Sequence, residues 1–227
     1  MNNKGNDKST RLLEGAYAVK TVEDNIEYYR DFADIYDTEF ADNMGYVYPA
    51  VIAEVFAHHR KPSDAPIADI GCGTGLVASV LRTHNINQNK NDLLEIDGID
   101  ISKEMLNAAR EKNLYSALYQ ADLTQSLSHL PGNYGAVLSA GTFTFGHLGP
   151  DILPDLLQIG RTDTLYCIGV NSVHFEAQGF SSVLDSMVQK SLISQPVSEV
   201  RKIYDQQNAS DISHADDTAR IMVYRQL

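Results

Sequence analysis

The segment from Ile67 to Gly75 constrains this chain more than any other, because a short apolar run leads directly into three closely spaced glycines. Gly71, Gly73 and Gly75 alternate with other residues, and a glycine has no Cβ to keep a ligand away from the backbone. The apolar residues between positions 76 and 81 have helical spacing. The segment therefore predicts a strand, a glycine loop and a helix, whose first backbone N–H groups can receive oxygen atoms or anionic groups.

The spacing of the glycines restricts the kind of ligand. Dinucleotide-binding folds use G-x-G-x-x-G, whereas the glycines here fall as G-x-G-x-G, with Asp69 two residues before the first. A nicotinamide-dependent oxidoreductase would share the predicted strand, loop and helix but not this spacing. The pattern therefore disfavours an NAD-dependent oxidoreductase, which stays the weakest alternative.

The pattern Asp69–Gly75 resembles the first motif of class I S-adenosylmethionine-dependent methyltransferases, and three further segments follow in the order typical of that family. The second motif ends at Asp100, the third covers residues 117–123 and the fourth covers residues 134–141. The resemblance implies an α/β fold, Rossmann-like, with a seven-stranded, mostly parallel sheet and helices on both faces. It also implies an antiparallel last strand and an N-terminal helical cap.

The resemblance implies S-adenosyl-L-methionine as cofactor and S-adenosyl-L-homocysteine as product. In the family, an acid at the end of the second strand binds both ribose hydroxyls, and Asp100 stands there. A carboxylate suits this role since it offers two acceptor oxygens. Asp97 is a competitor, but it precedes Gly98 inside the strand and fits less well. Asp69 is expected to orient the glycine loop by accepting backbone donors, close to the amino group of the cofactor.

Other cofactor contacts follow from the same resemblance. Ile101 and Met105 are predicted as apolar walls for the adenine, and Asp122 as a partner of its exocyclic amino group. Tyr29 and Tyr36 belong to a predicted amphipathic helix that would close over the cofactor. Core packing remains the alternative for Met105 and the two tyrosines, and a helix cap for Asp122. The remaining predicted cofactor-binding residues are Gly71, Cys72, Gly73, Gly75, Leu123 and Ser139.

The methyl acceptor is expected beyond the fourth strand. His147 is predicted to line the substrate site and is the candidate catalytic base, which contributes roughly 10²–10⁴-fold if the acceptor must lose a proton. The alternative is a histidine that bonds loop carbonyls. Phe143 and His174 are further candidates for substrate contact. Residues 139–142 depart from the Asn/Asp-Pro-Pro-Tyr/Phe segment of DNA and glutamine amino-methyltransferases, so a small-molecule acceptor is predicted.

Composition limits the partners. The chain has 227 residues and a formal net charge of −12, which argues against nucleic acid and against an anionic membrane surface. Cys72 and Cys167 are the only cysteines and fit reduced thiols in the cytoplasm. No grouping of His, Cys and carboxylates has metal-ligand spacing, so no metal is predicted. The protein is expected to be a monomer or a homodimer.

Three regions are predicted along the chain: a flexible N-terminal arm over residues 1–22, a helical cap over 23–60 and a methyltransferase domain over 61–227. In the last region, Val197–Tyr204 and Ala219–Tyr224 predict two antiparallel strands, as in the family. The predicted activity is methyl transfer by direct displacement. The alternative is a non-catalytic protein that binds the cofactor as a sensor or scaffold.

Overall fold

The computed structural model describes residues 45–83, 94–205 and 216–227, together with six isolated positions before residue 45. The arm predicted over residues 1–22 lies outside these ranges apart from two of the isolated positions. Tyr29 and Tyr36 lie outside the described residues as well, so the structure says nothing about their predicted role.

Helices and strands alternate along the described chain, as the motifs predict. The helices are α1 (Tyr48–His59), α2 (Leu76–Thr83), α3 (Lys103–Glu111), α4 (Ser172–Gln178) and α5 (Phe180–Gln189). The strands are β1 (Ile67–Ile70), β2 (Ile96–Asp100), β3 (Ala117–Gln120), β4 (Tyr134–Phe143), β5 (Gly160–Asn171), β6 (Val197–Lys202) and β7 (Thr218–Arg225). Two short 3-10 helices, Pro150–Ile152 and Asp155–Gln158, connect β4 to β5.

The described strands form one seven-stranded sheet in the order β3-β2-β1-β4-β5-β7-β6. The first five strands are parallel, and β7 lies antiparallel between β5 and β6. This confirms the predicted Rossmann-like sheet with its inserted antiparallel last strand. The strand order reverses between β1 and β4, and ligands of open α/β sheets bind at the carboxyl ends of the strands next to such a reversal.

Each face of the sheet carries its own hydrophobic core, because successive side chains of a strand point to opposite faces. In β4, Leu138 packs in the core beneath α1 and α2, while Val137 packs in the core beneath α5. Ile52 and Phe56 of α1 are fully buried in the first core. The helix α1 therefore shares its core with the strands that follow.

An irregularity in β4 shapes the carboxyl edge of the sheet. Ser139 pairs with Ile168 and Phe143 pairs with Val170, so four residue steps along β4 oppose two along β5. Residues 140–142 lie within this register shift, and such irregularities are frequent next to active sites. Within the described residues, no helix is long and apolar enough to cross a bilayer.

Candidate functional site

A cleft opens at the carboxyl ends of β1, β2 and β4, where the reversed strand order predicts a ligand. Its empty volume, with the open mouth included, is about 840 Å³. One side, here called the loop half, is lined by Gly71, Gly73, Asp100, Ile101, Met105 and residues 121–124. The other side, here called the β4 half, is lined by residues 140–142 and 146–148.

Gly73 and Asp100 form the polar centre of the loop half. The Gly73 backbone N–H donates to Asp100 Oδ2 at 2.8 Å, and the Ser102 N–H donates to Asp100 Oδ1 at 2.8 Å. Each carboxylate oxygen can accept a further hydrogen bond. Burial raises the pKa of Asp100, and the backbone hydrogen bonds from Ser102 and Gly73 oppose that shift. These bonds favour the ionised form, which is the form that accepts from two neighbouring hydroxyls.

Gly73 also leaves space for a ligand. Its φ is +53°, and a Cβ built on it would meet no atom within 4 Å. A side chain there would stand in the cleft, in a backbone conformation that L-residues adopt reluctantly. The glycine thus keeps open a cradle directly beside the Asp100 carboxylate.

Apolar and turn-forming residues complete the loop half. Ile101, Met105 and Leu123 line the cleft together with Asp100. Asp122 Oδ1 accepts from the Thr124 backbone N–H at 2.8 Å and from the Thr124 hydroxyl at 2.7 Å, which fixes a turn after β3. The loop half therefore combines a carboxylate with an apolar slot, a combination suited to a nucleoside.

Behind the glycine loop, a half-buried tyrosine supports the motif acid. The Tyr115 hydroxyl donates to Asp69 Oδ2 at 2.7 Å. The Tyr115 ring fills the space in front of two glycines, since a Cβ on Gly75 would come within 2.9 Å of it and a Cβ on Gly98 within 3.1 Å. Asp69 Oδ1 is buried and has no hydrogen-bond partner among the described residues. Burial raises the pKa of Asp69 to about 7, the Tyr115 hydrogen bond lowers it and the charge of Asp100 raises it.

Thr142 joins the β4 half to the glycine loop. Its hydroxyl donates to the Ile70 carbonyl at 3.2 Å, and a Cβ on Gly71 would collide with its side chain. On the same half, Gly141 lies against the Tyr46 hydroxyl, which would be 2.6 Å from a Cβ on that glycine. The bulged residues of β4 therefore rest on the loop from one side and on Tyr46 from the other.

His147 is the titratable side chain that lines the β4 half. Its Nδ1 lies 2.9 Å from the Phe145 carbonyl oxygen. Because a carbonyl only accepts, we assign the proton of the neutral ring to Nδ1 and the lone pair to Nε2. Burial lowers the pKa of His147, the Phe145 carbonyl raises it and His174 lowers it further. Among the described residues, no group of three or more His, Cys, Asp or Glu side chains is arranged to hold a metal ion.

Residues 67–161 match the family model described as "Methyltransferase domain". Among curated proteins, the chain is similar to methyltransferase-like protein 27 from Homo sapiens, with 28% identity over 159 residues. That alignment covers 69% of this chain and 61% of the human protein, so the chain matches less than two thirds of its relative.

Solved structures share the fold over most of the chain. The plantazolicin methyltransferase BpumL, in complex with a triazolic desmethylPZN analog and SAH, has a TM-score of 0.57 at 13% identity, covering 98% of this chain and all of its own (100%). A SAM-dependent methyltransferase from Thermotoga maritima has a TM-score of 0.57 at 15% identity, covering 87% of this chain and 98% of its own. At such identities the likeness establishes the fold alone.

The methyltransferase domain matched over residues 67–161 agrees with the resemblance of the motifs to class I S-adenosylmethionine-dependent methyltransferases. The residues of the loop half fit the nucleoside of that cofactor, because the Gly73 cradle is open and Asp100 presents two acceptor oxygens to it. The competing acid is engaged elsewhere, since the Tyr134 hydroxyl donates to Asp97 Oδ2 at 2.8 Å.

The structure brings eight of the predicted site residues into the lining of the cleft. These are Gly71, Gly73, Asp100, Ile101, Met105, Asp122, Leu123 and His147. Three others, Asp69, Cys72 and Gly75, are not in the lining. Asp69 was expected to accept backbone donors, whereas its Oδ2 accepts from the Tyr115 hydroxyl.

Burial raises the pKa of the Cys72 thiol well above its usual range, and both cysteines are buried and free.

Three predicted residues, Ser139, Phe143 and His174, are not in the lining of the cleft. Ser139 is still inside the paired strand, fully buried, and its hydroxyl donates to the Ile70 carbonyl at 3.1 Å. Phe143, expected to contact substrate beyond the fourth strand, is the last residue of β4 and packs edge-on against Phe180, with ring centroids 6.2 Å apart. His174, expected to contact substrate, is buried in α4 behind the residues that carry His147.

The prediction missed Thr142, Gly141 and Tyr115. The first two belong to the bulge, and a glycine inside a predicted strand is the signal that could have indicated it. Tyr115 lies outside the four motifs, and its contact with Asp69 joins positions 46 residues apart. No local pattern indicates that contact.

Proposed function

We propose that this protein is an S-adenosylmethionine-dependent methyltransferase that transfers a methyl group to a small-molecule acceptor. One observation carries the proposal: the Asp100 carboxylate borders the open cradle at Gly73 in a cleft of the family's fold. If the cleft no longer bound a ligand, side chains would block it. It would then not combine an open cradle at Gly73 with the Asp100 carboxylate.

The residues of the loop half would hold the cofactor. Asp100 would accept from both ribose hydroxyls while the Gly73 and Ser102 N–H groups keep its carboxylate in place. Ile101, Met105 and Leu123 would enclose the adenine. When bound, S-adenosyl-L-methionine supplies an electrophilic methyl carbon on a positively charged sulfur.

The residues of the β4 half would hold the acceptor. Orienting the acceptor atom in line with the methyl carbon contributes on the order of 7–11 kcal/mol to lowering a barrier. A general base adds roughly 10²–10⁴-fold, or about 3–5 kcal/mol. Positioning by the walls of the cleft is therefore the larger contribution, and the base matters only for acceptors that carry a proton on the reacting atom.

His147 is the proposed base. The Phe145 carbonyl holds its Nδ1–H, which leaves Nε2 as the nitrogen that accepts a proton. Because burial lowers its pKa, the ring is neutral near pH 7 and ready to take that proton. This favours hydroxyl or N–H acceptors over thioethers and tertiary amines, which have no proton to lose.

Charge and relatives support a small acceptor. A net charge of −12 disfavours nucleic acid substrates. One structural neighbour is a plantazolicin methyltransferase crystallised with desmethylPZN analogs, so this fold accommodates such compounds. The proposal places a monomer or homodimer in the cytoplasm, in line with the free buried thiols Cys72 and Cys167.

The test is transfer of label from methyl-labelled S-adenosyl-L-methionine to the low-molecular-mass and macromolecular fractions of a cell extract. We expect label in the low-molecular-mass fraction with the wild type and much less with Asp100→Ala. Label confined to the macromolecular fraction would contradict the small-molecule acceptor. Cofactor binding without any label transfer would favour the sensor or scaffold alternative.

A further inference from the structure

His174 lies behind the β4 half of the cleft, and its side chain is only 5% exposed. It belongs to the first turn of α4, where the Asn171 carboxamide Oδ1 accepts from the Val173 and His174 backbone N–H groups at 3.0 and 3.1 Å. This cap fixes the start of the helix and with it the backbone of His174. The imidazole is therefore attached to a rigid part of the molecule.

The His174 ring holds the segment after β4 by two contacts. Its Nε2 lies 3.0 Å from the Leu148 carbonyl oxygen. Since the carbonyl only accepts, Nε2 carries the proton and donates. The ring also packs edge-on against Phe145, with centroids 5.2 Å apart at an angle of 72°.

These two contacts lie on either side of His147 in the chain. Leu148 is the next residue, and Phe145 supplies the carbonyl that holds His147 Nδ1 at 2.9 Å. A shift of either neighbour would move the His147 ring or release its Nδ1–H. Resting on the proposed function, we propose that His174 is the positioning residue that holds His147 in the orientation and tautomer of a proton acceptor.

Packing alone does not account for a histidine at this position. With Nε2 donating, Nδ1 is an acceptor that is buried and has no hydrogen-bond partner among the described residues. An unsatisfied buried nitrogen is destabilising, and a phenylalanine would fill the space beside Phe145 and Phe180 without it. A phenylalanine would lack the Nε2–H group that donates to the Leu148 carbonyl. That hydrogen-bond donor is therefore the property that the position requires.

Two amide substitutions separate the donor from the remainder of the side chain. The Nε2 of glutamine reaches the position of histidine Nε2, so His174→Gln retains a donor for the Leu148 carbonyl. Asparagine is one carbon shorter, and His174→Asn places its amide near the old Nδ1 position, out of reach of Leu148. The two variants therefore have side chains of equal polarity and differ only in the hydrogen bond to the Leu148 carbonyl.

The measurement is the nitrogen NMR spectrum of the imidazoles near pH 7 in the full chain without cofactor, with the His147 signals assigned through His147→Gln. We expect the proton of His147 on Nδ1 in the wild type and in His174→Gln. In His174→Asn the ratio of Nδ1–H to Nε2–H forms should fall about fivefold, as expected for loss of one ordinary hydrogen bond.

Two results would overturn the proposal. One is a His147 signal in His174→Asn that matches the wild type. The other, which needs no variant and so survives misfolding of His174→Asn, is a wild-type His147 proton located on Nε2. Because cofactor is absent from the samples, a failure here is distinct from a failure of the proposed function. A failure of the proposed function would appear as the absence of S-adenosyl-L-methionine binding to the wild type.

Discussion

The two halves of the cleft are built in different ways. In the loop half, the backbone N–H groups of Gly73 and Ser102 hold the strand-end carboxylate of Asp100 at the cleft. In the β4 half, the lining depends on a bulge and on side chains from distant elements, such as His174 of α4 behind Leu148. The first construction suits one invariable ligand, whereas the second can be altered residue by residue to suit a different acceptor.

The largest effect should follow from blocking the cradle. Gly73→Ala would place a methyl group in the cleft, so we expect loss of about 2–3 kcal/mol of S-adenosyl-L-homocysteine binding free energy, the upper range for an overfilled site. The matched control is Gly179→Ala, because Gly179 has φ +75° and open space but lies outside the cleft. Both variants should lose similar thermal stability, and calorimetric titration should separate them. Equal S-adenosyl-L-homocysteine affinities in Gly73→Ala and Gly179→Ala would contradict the proposal that the ligand lies against Gly73.

The second effect concerns the strand-end acid. Asp100→Ala should weaken cofactor affinity by about 1–3 kcal/mol through loss of charged hydrogen bonds. Asp97→Asn is the control on the same strand, since Asp97 is bonded to Tyr134. The cofactor affinity of Asp97→Asn should equal that of the wild type, although its free energy of unfolding should fall. Unchanged affinity in Asp100→Ala would remove this residue from the site.

A third prediction concerns Asp69 and Tyr115, which support the glycine loop but do not line the cleft. Because burial raises the folded pKa of Asp69 to about 7, above its unfolded value of 3.8, the folded state holds this proton more tightly. Stability from this group is therefore present below about pH 4 and falls as pH rises towards 7. Tyr115→Phe removes the hydrogen bond that opposes the shift, so the loss deepens as Asp69 ionises.

Thermal or chemical unfolding at two pH values tests this prediction. Tyr115→Phe should cost about 0.5–1.5 kcal/mol at pH 5, where Asp69 is protonated, and about 1.5–3 kcal/mol at pH 8, where a charged hydrogen bond is lost. Ser139→Ala serves as a pH-independent comparison. A deficit of Tyr115→Phe that is the same at both pH values would show that Asp69 does not titrate as proposed.

The smallest effect is expected at Ser139, which the motif alone would assign to the cofactor. Ser139→Ala removes only the buried hydrogen bond to the Ile70 carbonyl. We expect a loss of about 1 kcal/mol in unfolding free energy and no change in S-adenosyl-L-homocysteine affinity. Weaker affinity would return this residue to the site and place the ligand deeper along β4.

The difference between the halves also explains what the sequence could predict. Gly71, Gly73 and Asp100 follow predicted strands, and the carboxyl ends of parallel strands meet at one edge, so local patterns suffice to bring them together. The sheet order follows from the same alternation of elements. Asp122 was also identified, although its carboxylate is used by its own turn.

The β4 half could not be predicted in the same way. A two-residue shift in the ladder decides that Ser139 and Phe143 are buried while Thr142 reaches the cleft. The pairing of β4 with β5 produces this shift, and the sequence of β4 alone does not show it. Likewise, the contact of His174 with Leu148 joins positions 26 residues apart. Tertiary packing, rather than local propensity, determines these positions.

The central claim is that the cleft is a site for the S-adenosylmethionine cofactor. The most direct test is calorimetric titration of the wild-type protein with S-adenosyl-L-methionine and S-adenosyl-L-homocysteine, with NAD as the control ligand. We expect micromolar binding of the first two and none of NAD. A folded protein that binds neither S-adenosyl compound would contradict it.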